Sequence, residues 1–135
     1  MSDQENPNTE TERAITACVR TFYTKARQDP DLGPIFNAQV HDWEVHMHTI
    51  SNFWSKVLLK TQRYSGSPYV AHVGLPIQPR HIKRWLELFT ETVHETMPGP
   101  DGEIILAKAR MMGESFMAGL FPFTDKDGNP SRHPA

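Results

Sequence analysis

The chain has 135 residues, a net charge of −2 and 38% hydrophobic residues, enough for one domain with a core of its own. The small net charge argues against a nucleic-acid binder, and no apolar run approaches the length that crosses a membrane. Cys18 stands alone, so no internal disulfide can form, and Met1 to Glu12 is polar and acidic, unlike a secretory signal. These features predict a soluble cytoplasmic protein.

Residues 1–8 read as a flexible lead-in, 9–121 as the folded domain and 122–135 as a loose, dispensable polar tail. Thr9 followed by Glu12 has the form of a capping box. Ile15, Cys18, Val19, Phe22, Tyr23 and Ala26 then fall on one helical face. The stretch Asp29-Pro30-Asp31-Leu32-Gly33-Pro34 breaks this helix, and Ile35-Phe36 predicts a short buried turn. Asp42 can cap a second long helix whose stripe is Trp43, Met47, Ile50, Phe53, Trp54, Val57 and Leu58. His46 shares the face of Ile50 and Phe53. After a loop from Thr61, Pro68 opens a short helix that ends at Gly74. Pro79 opens the next helix, with Ile82, Trp85, Leu86, Phe89, Val93 and Met97 on one face. Pro98-Gly99-Pro100 stops it, and Asp101 is the expected cap of a last helix carrying Ile105, Met112, Phe116, Met117 and Leu120. The pattern is all-α, with four long helices and one or two short ones.

Charge is placed unevenly. From Val45 to Leu86 there is no Asp or Glu but six Lys or Arg, so this stretch carries +6 and the remainder −8. That is either a solvated basic face or a surface turned toward an anionic ligand. The same stretch contains His46, His72 and Trp85.

His72 lies in the short apolar segment Ser67-Pro68-Tyr69-Val70-Ala71-His72-Val73, thirteen residues before Trp85. A neutral imidazole is a common ligand of haem iron, and its second ring nitrogen then needs an acceptor. No carboxylate lies near in sequence, so a carbonyl one turn upstream, at Pro68 or Tyr69, is the expected acceptor. The plainer reading is a helix-end histidine. Tyr23 and Trp85 offer a phenol and an indole N–H, donors suited to a ligand that gains negative charge. The plainer reading of both is aromatic core. His41, His46 and His48 do not make a zinc site, because His46 and His48 point apart on a helix. His41-Asp42 lacks the flanking elements of the HD phosphohydrolases. Cys18, among apolar residues, reads as core.

The chain resembles the truncated haemoglobins, specifically group III. The resemblance is carried by Phe22-Tyr23, the run from Asp31 to Asn37, Trp43 with His46, Ile50-Ser51-Asn52-Phe53-Trp54, Tyr64 with Gly66 and Pro68, His72, and Trp85-Leu86-Glu87-Leu88-Phe89. It spans about residues 10 to 120, and the paired-glycine loops of groups I and II are missing. It implies a two-over-two helical sandwich around haem b, with His72 as proximal iron ligand. Tyr23 and Trp85 would be the distal hydrogen-bonding pair, His46 the distal histidine with Ile50 and Phe53 beside it, and Phe36 a wedge against the porphyrin. Thr49 stands where relatives often place a basic residue toward a propionate, so propionate partners are expected among Arg63, Tyr64, Arg80 and His81.

The function so implied is tight binding of O2, NO or CO. One alternative is a haem enzyme for nitric oxide dioxygenation or weak peroxide chemistry, fed by an unidentified reductase. The acid-free stretch argues against a local carboxylate behind His72, as a peroxidase would want. Another alternative is a non-haem helical interaction module.

Overall fold

The computed structural model describes residues 7–134. The first six residues of the expected lead-in lie outside the described residues, while Pro7 and Asn8 already belong to the first helix. Six helices follow in order: α1 Pro7–Ala26, α2 Gly33–Gln39, α3 Trp43–Leu59, α4 Pro68–Val73, α5 Pro79–Thr96 and α6 Pro100–Leu120. A two-stranded hairpin, β1 Phe123–Thr124 and β2 Pro130–Ser131, closes the chain.

The stripe of α1 is buried along its length, from Ile15 to Ala26. It packs against α3 and α5, while α6 packs against α5 and α3. The four long helices therefore form two pairs laid across each other, the two-over-two sandwich. Ile15, Val19, Val93, Ile105 and Leu106 sit at its centre, essentially without solvent contact. Burying side chains of this size contributes about 1.5–3 kcal/mol each.

Local chemistry sets the helix ends. Asp42 Oδ1 accepts the N–H of Val45 at 3.1 Å and starts α3. Ser67 does the same for Val70 and starts α4. The N–H of Gln78 donates to His81 Nδ1 at 2.7 Å, so His81 caps α5 and is buried there. Two expected starts differ. Because α1 already begins at Pro7, Thr9 is inside the helix, and Glu12 turns instead to Ser55 and Arg63. The last helix begins at Pro100 behind Gly99, which leaves Asp101 in the first turn, where its charge suits the helix dipole.

The core comes in two pieces. The larger lies among α1, α3, α5 and α6. The smaller is built from Ile77, Ile82, Leu120 and Phe121, with Tyr69 and Phe116 packed against it. Helix α4 belongs to the smaller piece and rests on α6, where Tyr69 fills the space that a side chain at Gly119 would take. The segment from Pro122, read as a loose tail, forms the hairpin instead, and Arg132 beyond β2 bonds back to the end of α4.

Candidate functional site

The two pieces of core each present a histidine. On the smaller piece, His72 Nδ1 donates to the carbonyl of Pro68, one turn upstream in α4, at 2.5 Å. That bond fixes the proton on Nδ1 and leaves the lone pair of Nε2 free. Phe116 of α6 lies against the imidazole, with ring centroids 4.8 Å apart. Its place in the stripe of α6 was legible, but its meeting with His72 was not, since α4 and α6 are far apart in sequence.

On the larger piece, His46 Nε2 and Tyr23 Oη are 2.9 Å apart, joining α3 to α1. Tyr23 is 5% exposed, and burial pushes its phenol well above the ordinary range, so it stays protonated. Burial also pushes the His46 imidazole below its ordinary range. Tyr23 is held edge-on by Phe22 and Phe36 and tilted against Trp43, at centroid distances of 5.0, 5.3 and 5.5 Å. Trp43 in turn packs its face under the guanidinium of Arg27, 4.3 Å from the ring centroid.

Trp85 stacks on Phe89 at 5.0 Å, and Phe89 stacks on Trp54 at 5.2 Å. Phe22 stands edge-on to both Tyr23 and Trp85, at centroid distances of 5.0 and 6.1 Å. The indole N–H of Trp85 makes no hydrogen bond among the described residues, and the side chain is half-buried. The structure thus brings Tyr23, His46 and Phe36 together directly, and links Trp85 to Tyr23 through Phe22. Ile50 and Phe53 lie half-buried further along the same helix as His46.

The four residues expected at propionates fare differently. Arg63 is engaged by Glu12, Ser55 and Asn52, an arrangement that fastens the loop after α3 to α1. His81 caps α5. Arg80 lies 3.9 Å from Asp31, an exposed and loose ion pair. Tyr64 packs edge-on to Phe53 at 5.2 Å, and its hydroxyl has no partner among the described residues. Thr49 bonds the carbonyl of Val45 in its own helix. No group of three or more His, Cys, Asp or Glu side chains gathers to hold a metal ion among the described residues.

The residues fit a haem cofactor. Phe36, Ile50, Phe53, Trp85 and Phe116 are large, apolar and only half-buried, the kind of side chain that an apolar cofactor covers. His72 offers a neutral nitrogen with its second nitrogen already satisfied. Residues 9–118 match the model of the bacterial-like globin family. The chain belongs to this family, as a truncated haemoglobin of group III.

The group 3 truncated hemoglobin of Campylobacter jejuni is 33% identical over 117 residues, which cover 83% of this chain and 92% of that one. A crystal structure of group III truncated hemoglobin from the same organism superposes with a TM-score of 0.74 at 32% identity, over 85% of this chain and 91% of that one. A variant of the group II truncated hemoglobin from Bacillus anthracis reaches 0.67 at 20% identity, over 85% and 92%, and shares the fold. Globin membership brings haem binding and a gas-related role. No helix among the described residues is long and apolar enough to cross a membrane.

Proposed function

We propose that this globin holds haem b through His72 and binds oxygen tightly under a distal network of Tyr23, His46 and Trp85. The observation that carries the reading is the pair of oriented imidazoles. His72 is fixed by the Pro68 carbonyl on one piece of core, and His46 is fixed by the Tyr23 hydroxyl on the other. The bound group supplies a ferrous iron that takes diatomic gases. Non-covalent haem b fits the single cysteine: Cys18 is buried, and the paired cysteines that attach a c-type haem are missing from the chain.

Each residue then has a task. The Pro68 carbonyl orients the ring of His72 and sets its tautomer. Because the acceptor is a neutral carbonyl and not a carboxylate, His72 lacks the electron push that favours peroxide cleavage, which supports gas binding over peroxidase chemistry. Tyr23 and Trp85 stabilise a ligand that draws negative charge, and a bond of that kind contributes about 1.5–3 kcal/mol. Phe36, Ile50 and Phe53 provide the apolar wall that keeps water from competing. Tyr64, with its free hydroxyl beside Phe53, is the best placed of the four expected propionate partners. Turnover of nitric oxide on this scaffold would need an external reductase in the cytoplasm.

The test is the visible and resonance Raman spectrum of the purified ferrous protein. Wild type and His46→Ala should bind haem and show an iron–histidine stretch, while His72→Ala should lose the haem or the band. Equal haem content with an unchanged band in His72→Ala would overturn the assignment.

A further inference from the structure

The segment beyond α6 is a built element, and its far end returns to the helix that carries His72. Asp125 organises its turn: Oδ1 accepts the N–H groups of Asp127 and Asn129, each at 2.9 Å, and the Asp125 N–H donates to Asn129 O at 2.8 Å. Gly128 supplies the left-handed residue, at φ 85°. The near end of the hairpin is anchored by Leu120 and Phe121, both buried in the smaller piece of core. After β2 comes Arg132, whose guanidinium lies 5.6 Å from the Phe121 ring centroid. It donates from Nη1 to Val73 O at 3.1 Å and from Nη2 to Leu75 O at 2.8 Å.

Those two carbonyls lie one and three residues after His72, that of Val73 at the end of α4 and that of Leu75 just past its cap Gly74. Helix α4 has six residues and buries none of them, so it cannot hold its place by packing alone. The carbonyls at a helix C-terminus lack intrahelical partners and carry partial negative charge. A planar guanidinium can meet two of them at once, which an ammonium cannot do with the same geometry. The chain between the two contacts is tied back as well, since the N–H of Leu75 donates to His72 O at 3.1 Å and the N–H of Ile77 to Leu75 O at 2.9 Å. Arg132 thus closes the one end of α4 that Ser67 and Tyr69 do not hold.

We propose that Arg132, carried on the C-terminal hairpin, is a positioning residue for His72. By clamping the end of α4 it sets the height and tilt of the imidazole toward the cofactor, without touching any reacting atom. The proposal rests on the reading of His72 as the iron ligand.

Two measurements on Arg132→Ala, Arg132→Lys and a control, Lys126→Ala, test it. In the haem-free protein, amide exchange at Leu75 and Ile77 should quicken about tenfold or more in Arg132→Ala, as expected when two charge-assisted hydrogen bonds are lost. Exchange in the core of α5 should stay as in wild type, Arg132→Lys should recover part of the protection, and Lys126→Ala should change nothing. In the ferrous haem-loaded protein, the iron–histidine stretch should shift or broaden in Arg132→Ala and move back in Arg132→Lys. Unchanged exchange and an unchanged band in Arg132→Ala would overturn the proposal, as would equal acceleration throughout the protein. A band that survives His72→Ala would instead overturn the ligand assignment beneath it.

Discussion

The hydroxyl of Tyr23 has one proton and one partner, and the tautomer of His46 decides where that proton goes. If Nε2 of His46 carries hydrogen, the hydroxyl accepts and its own proton is free for a ligand. In the other tautomer the proton is spent on His46, and the indole of Trp85 is left as the free donor. Either way the buried phenol stays neutral. Asp29 is the opposite case of a buried polar group. Burial would raise its pKa, but the N–H of Leu32 at 3.0 Å, the guanidinium of Arg84 at 2.7 Å and the N–H of Asp31 at 3.0 Å outweigh this and hold it below 3.8. The folded pKa lies below the unfolded one. The stability it contributes is therefore complete above about pH 4 and is lost as pH falls through the folded value. Asp29→Asn should cost about 1.5–3 kcal/mol at pH 7 by urea unfolding, and less at pH 3. An equal cost at both pH values would contradict this account. The bond from His72 to a carbonyl at Pro68 was legible because it is local, one turn upstream in the same helix. The occupation of Arg63 was not, since its partner Glu12 lies 51 positions away.

At the scale of elements, the long helices were legible because their apolar residues repeat at helical spacing over several turns. Starts that depend on a partner elsewhere were not: Glu12 completes no box once Ser55 and Arg63 claim it. The hairpin was illegible because strands of two residues carry no period to read. Glycines show how closely elements approach. A Cβ on Gly102 would stand 2.0 Å from Met97 O, a backbone atom that cannot swing aside, so α6 starts against the end of α5 only because that position is glycine. Gly74 has open space around it and φ −86°, which any residue can adopt. Gly102→Ala should lower the unfolding free energy by about 1–3 kcal/mol. Gly74→Ala should be neutral or stabilise by up to about 1 kcal/mol. Equal effects in chemical denaturation would mean that the α5–α6 corner has slack the structure does not show.

Across the whole molecule, the uneven charge becomes stitching. Arg63 meets Glu12, Arg80 faces Asp31, and Arg84 meets Asp29 and Glu87, so most of these pairs join the basic stretch to acidic residues far away in sequence. Lys56, Lys60 and Lys83 have no ion pair among the described residues. Tyr23 and Phe36 belong to the larger core and His46 bonds Tyr23, while α4 with His72 rests on α6 beside the smaller core. In the proposed function haem lies between His72 and the distal residues, and the donors Tyr23 and Trp85 retain oxygen. Stopped-flow dissociation of oxygen and carbon monoxide from wild type, Tyr23→Phe, Trp85→Phe and the double variant tests that claim most directly. Trp85→Phe should release oxygen about ten- to a hundredfold faster, the worth of one bond to a ligand that gains charge. Carbon monoxide gains less charge and should change far less, and the double variant need not equal the sum, because both donors serve one ligand. Oxygen release from Trp85→Phe within about twofold of wild type, a difference of only a few tenths of a kcal/mol, would make the indole a packing residue and contradict the account.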